Sequence, residues 1–102
     1  MVKIKGWSKR LELPFRVDYE NTTKDYNRSG LGHCGLIIIR DLKYPNATTY
    51  PERNQWKDTW SVTYRWYAGA EQGQQYKKLK TDVTKEEALQ YAYAYMRRNP
   101  NG

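Results

Sequence analysis

A chain of 102 residues holds one domain and one modest core, since chains of this size bury little more than about 60% of their unfolded surface, and that argues against a multi-step enzyme. Eighteen Lys and Arg against eleven Asp and Glu leave a net charge of +7, which favours a polyanionic partner such as nucleic acid. Cys34 is the single cysteine, which excludes an internal disulfide and a cysteine-rich zinc site and fits a reducing compartment.

The start MVKIKGW lacks the apolar run of a signal peptide, and no segment approaches the roughly 18 apolar residues of a membrane span. The expectation is a cytoplasmic protein with no membrane association, in which the sequons at Asn21 and Asn46 are chance matches. Along residues 1–20, Val2, Ile4, Leu11, Leu13, Phe15, Val17 and Tyr19 alternate weakly as candidates for inward positions. Pro14 interrupts any strand there or confines it to an edge, because it lacks an amide donor. The polar, Gly-rich run from Asn21 to Gly35 reads as a loop.

Leu36 to Ile39 is a short apolar, β-branched stretch, the pattern of an inner strand. From Leu42 to Lys57, Pro45, Asn46, Pro51 and Asn54 predict a long irregular excursion. Between Asp58 and Ala68, Trp60, Val62, Tyr64 and Trp66 alternate with Ser61, Thr63, Arg65 and Tyr67, a period of two that gives a strand one dry and one wet face. A turn over Gly69 to Gly73 leads to a Lys-rich strand near Gln75 to Thr81. Thr84 and Glu87 form a capping box that opens a helix from about Lys85 to Arg98. Its apolar stripe is Ala88, Leu89, Ala92, Tyr95 and Met96, Arg97 and Arg98 suit its negative end, and Asn99 and Pro100 stop it.

These elements predict an α+β fold: one domain over 1–102, in which an antiparallel sheet of three or more strands packs against one C-terminal helix. The sheet-plus-helix module is expected over 30–98, with 1–29 as an N-terminal extension.

Arg40, Arg65, Lys78 and Lys80 are candidates for phosphate or base-edge contacts, and the alternation turns Lys77 away from Lys78 and Lys80. The bland reading of the same residues is a solvated edge strand that Lys keeps from aggregating. Tyr67 and Tyr76 are placed for exposed stacking, whereas spacing assigns Trp60, Trp66 and Tyr95 to the packed side. His33 beside Cys34 has no further His or Cys, so neither a metal site nor a catalytic dyad is expected. "SGLGHCG" lacks the Lys and hydroxyl residue of a phosphate loop, so no cofactor is expected, and no enzymatic activity.

The order of strand, strand, strand and helix, with WSVTYR in the second strand, a Lys-rich third strand and TKEEA opening the helix, resembles a group of small DNA readers. These are the Apetala and ethylene-response-factor domain and the related arm-binding domain of tyrosine integrases. The likeness covers about residues 30–98 and implies duplex DNA as partner, with the outer sheet face in the major groove and the helix behind it. It places the family's second-strand Trp and Arg on Trp60 and Arg65, the contact position between them on Thr63, and the third-strand contacts on Tyr76 and Lys78. In the first strand only Arg40 fits, since Ile37 and Ile39 are apolar where the family is polar, and the excursion after Leu42 is longer than the family's.

Those two departures support another class of function. A phage or mobile-element type of factor that binds or inhibits a host protein complex would use Ile37 and Ile39, or the loop aromatics Trp7 and Trp56 with their basic neighbours. Salt separates the two, because phosphate binding weakens steeply as salt rises and an apolar interface does not.

Overall fold

A computed structural model describes residues 4–21, 34–67 and 71–100. Five antiparallel strands follow one another across a single sheet in chain order: β1 (Trp7–Leu13), β2 (Arg16–Asn21), β3 (Cys34–Leu42), β4 (Trp56–Tyr67) and β5 (Gln74–Val83). A single helical turn, α1 (Tyr50–Arg53), sits in the β3–β4 connection, and the long helix α2 (Lys85–Arg98) packs on the sheet. The α+β architecture predicted from sequence is the one observed.

Period-two alternation sorts the side chains into two faces. Val17, Ile38 and Val62 stand in one row across three strands, and Tyr19, Leu36 and Tyr64 in the next. Leu36, Ile38 and Val62 are fully buried, each side chain contributing about 1.5–3 kcal/mol. Ala88, Ala92 and Met96 close the core from α2, where the two alanines let the helix approach closely. Leu89 and Tyr95 of the predicted stripe are only partly buried at the margin of the helix–sheet seam.

Helix α2 begins and ends where its local chemistry dictates. Glu87 N donates to Thr84 Oγ1 at 3.1 Å, and Thr84 N donates to Glu87 Oε1 at 3.3 Å. At the other end Asn99 Nδ2 donates to Tyr95 O at 2.8 Å. The aromatic side chains interleave between helix and sheet: Tyr19 meets Tyr93 edge-on at 6.2 Å, and Tyr95 meets Trp7 at 6.4 Å and Tyr64 at 5.9 Å. Burial first, and Tyr93 second, push the Tyr19 phenol well above the usual tyrosine range; burial likewise raises Tyr95.

The segment expected as an extension supplies two strands of the same sheet. Val17 and Tyr19 point into the core, but Leu11, Leu13 and Phe15 do not; each is more than one-third exposed. The cause is a bulge at Arg10 and a turn at Pro14 and Phe15, which shift the phase of β1 against that of β2. The same bulge carries Lys9 and Glu12 to one side, where they form an ion pair at 3.3 Å. Val2 lies outside the described residues.

Trp7 is a correction: it is a core residue at 6% exposure, not a loop anchor. Its Nε1 donates to Asn99 O at 2.8 Å, and nearby Asn21 Nδ2 donates to Pro100 O at 3.0 Å. The predicted loop from Asn21 to Gly35 is shorter at both ends, because Asn21 closes β2 and Cys34 and Gly35 open β3. Residues 22–33, His33 among them, lie outside the described residues, and Cys34 is a buried free thiol.

Candidate nucleic-acid interface

The sheet face opposite α2 carries the residues of the other phase. Two rows cross it: Asp18, Ile37, Thr63 and Lys78 in one, and Glu20, Gly35, Arg65 and Tyr76 in the next. Thr63 and Lys78 are therefore direct cross-strand neighbours, as are Arg65 and Tyr76. Among the described residues no second layer packs on this face, and residues 7–21 extend the sheet sideways rather than covering it.

Arg65 lies across β3 because Gly35 makes room. A Cβ at Gly35 would stand 3.1 Å from Arg65 Nε and 2.7 Å from the Tyr19 carbonyl oxygen. In the amide orientation that satisfies both neighbours, Gln74 accepts from Arg65 Nη1 and donates to Trp66 O, each at 3.1 Å. Arg65 has no carboxylate partner among the described residues, whereas Arg10 and Arg16 do. Arg16 donates through Nε and Nη2 to the two oxygens of the buried Asp18, each at 2.8 Å. That bond is the main reason its guanidinium pKa is raised further; burial opposes it, and the charges of Asp18 and Tyr76 add to it. Arg10, on the β1 bulge, reaches Glu20 at a longer 3.5 Å.

These side chains border a concavity of about 420 Å³. Arg10, Leu11, Arg16 and Asp18 line it from β1 and β2, Ile37 from β3, and Arg65, Gln74 and Tyr76 from β4 and β5. Tyr76 is 61% exposed, a large aromatic with most of its ring in solvent. A second hollow of about 350 Å³ lies toward the β3–β4 excursion, with Lys57, Lys78, Asp41 and Asp82 on its walls. Asp41 is held there by Thr59 Oγ1 at 2.8 Å and Ser61 Oγ at 2.5 Å.

Other expected contacts fall elsewhere. Arg40 is a correction: it pairs in register with Trp60 of the helix-side row, and its guanidinium donates to Lys57 O and, at 3.1 Å, to Asp58. Lys80 is a second correction, because a bulge at Leu79 sets it opposite Val62, on the helix-side phase, while Lys78 keeps the outer phase. Tyr67 ends β4 in the outer phase, and its side chain lies outside the described residues. Ile37 and Ile39 are half-buried on the outer face, and half-buried Trp56 packs at a tilt against Phe15, ring centroids 5.1 Å apart.

Arg10, Arg16, Asp18, Gly35 and Gln74 stand outside the set expected from sequence. The alternation of Arg16, Asp18 and Glu20 with Val17 and Tyr19 is the signal that marks the β2 members. Among the described residues no three His, Cys, Asp or Glu side chains gather to hold a metal ion, and no helix is long and apolar enough to cross a membrane. Compared with known proteins, the chain matches no family model, no curated protein and no solved structure.

Proposed function

We propose that this chain is a small, non-enzymatic, cytoplasmic DNA-binding module that lays the β4–β5 half of its outer sheet face on duplex DNA. The observation that carries the reading is the pair of cross-strand neighbours, Arg65 beside Tyr76 and Thr63 beside Lys78, on a face that no described element of this basic chain covers. A twisted antiparallel sheet fits a major groove about 12 Å wide. Arg65 has the planar fork that grips a phosphate bidentately, Lys78 a point charge for a second phosphate, and Thr63 a hydroxyl for a phosphate or a base edge. The resemblance of WSVTYR and TKEEA to the Apetala and integrase arm-binding domains supports the same reading.

Gel-shift titrations across a salt series test it. Replacing Arg65 and Lys78 together with Ala should weaken duplex binding and flatten the log–log salt slope by nearly two, about 0.9 for each phosphate that is no longer neutralised. An unchanged affinity and slope would sink the assignment of this face. A host protein partner is the second reading, favoured by Leu11, Leu13 and Phe15 standing exposed beside Ile37 and Ile39. An interface built on them would hold at salt concentrations that strip DNA from a basic sheet.

A further inference from the structure

Resting on the nucleic-acid reading, we infer that the 420 Å³ concavity seats one unpaired nucleotide, its base against Tyr76 and Ile37 and its phosphate on Arg65. Shape is the first ground. A paired duplex offers a sheet its grooves and backbone, whereas a hollow between the β1–β2 side and the β5 edge receives a single protruding group. Its volume lies within the roughly 300–1,000 Å³ of small-ligand sites.

The walls match the parts of a nucleotide. Tyr76 presents a ring that is 61% exposed, and any base can stack on it. Ile37 supplies an apolar floor. The Arg16–Asp18 pair fixes N–H donors and carboxylate acceptors side by side, which a base edge outside a duplex can use. Charge then sets the size of the ligand. Arg16 and Arg10 are already matched by Asp18 and Glu20, leaving Arg65 as the cation without a carboxylate among the described residues of this wall. One uncommitted cation suits one phosphodiester and not the several charges of a nucleoside triphosphate. Bases in a perfect duplex cannot reach such a pocket without being unpaired.

Fluorescence anisotropy of the full chain separates this from the parent reading. Three labelled probes serve: a mixed-sequence DNA strand of roughly 12 nucleotides, within the site sizes of single-strand binders; its perfect duplex; and that duplex with one extra unpaired nucleotide. Stacking one base is worth about a factor of ten or more. The interrupted duplex, which keeps the groove and adds an unpaired base, should therefore bind about tenfold more tightly than the perfect duplex. Tyr76→Ala should bring that ratio close to one, and Tyr76→Phe, which keeps the ring, should restore it. Equal affinity for the two duplexes, with a ratio that Tyr76→Ala does not change, would overturn the pocket and leave the duplex reading standing. If none of the probes binds at low salt, both readings fall and a protein partner takes their place.

Discussion

The outer face of the sheet carries two different surfaces side by side. On β1 to β3, the Arg16 and Arg10 charges are answered by Asp18 and Glu20, and Leu11, Leu13, Ile37 and Ile39 lie among them. On β4 and β5, Arg65 and Lys78 stand with Thr63 and Tyr76 and make no ion pair among the described residues. The difference teaches that the net charge of +7 does not say where a polyanion would land. Cations held by carboxylates carry few counterions to release, so the binding drive concentrates where the cations stand unpaired.

The largest expected effect tests the face assignment itself. Ile38→Ala should cost about 2–5 kcal/mol, since Ile38 is fully buried under α2, while Ile37→Ala, one residue away, should cost less than about 1.5 kcal/mol. Chemical-denaturation midpoints that shift equally would merge the two faces and remove the open one. Next comes the seam between the halves. Gly35→Ala should cost about 1–3 kcal/mol, because the new methyl group meets the Tyr19 carbonyl and lifts Arg65. A wild-type midpoint would mean that Arg65 does not depend on this glycine.

A smaller effect separates the cations of the two halves. Arg65→Ala should flatten the salt slope for duplex DNA by about one, and Arg16→Ala by much less, because Asp18 already neutralises Arg16. Equal slopes would break the distinction between halves. The smallest lies on the inner face and in alkaline solution. Tyr19 is held protonated in the fold, so its contribution is fully present below the unfolded tyrosine pKa of about 10 and is lost as pH climbs toward its raised native value. The thermal midpoint should therefore fall above about pH 10, and Tyr19→Phe should make that fall shallower. An identical pH profile in the variant would place the alkaline transition elsewhere.

How much of this was legible varies with the element. β4 shows itself because Trp60 to Tyr67 alternates without a break, and α2 because Thr84 and Glu87 mark its start and Asn99 its end. The gathering of Arg65, Tyr76, Thr63 and Lys78 on the outer face follows from that same alternation. The failures in β1 and at Lys80 share one cause: a bulge changes the phase of a strand and leaves no trace in composition. At Arg10 it turned Leu11 and Leu13 outward, and at Leu79 it moved Lys80 off the face of Lys78. Trp7 escaped for another reason. Its partner, Asn99, is 92 residues away, beyond the reach of any local pattern.

The clasp between Trp7 and Asn99, with Asn21 on Pro100, bears on the order in which the chain folds. A meander forms from neighbouring hairpins, and each needs only a short loop to close. The clasp instead joins β1 and β2 to the end of α2 and cannot form until both those strands and the helix exist. It spans 92 residues and needs the strands and the helix between to be in place, so it belongs to the last stage of folding and the first stage of unfolding. Amide exchange should accordingly be faster in β1 and in the last turn of α2 than in β3, even though Trp7 itself is as deeply buried as Trp60.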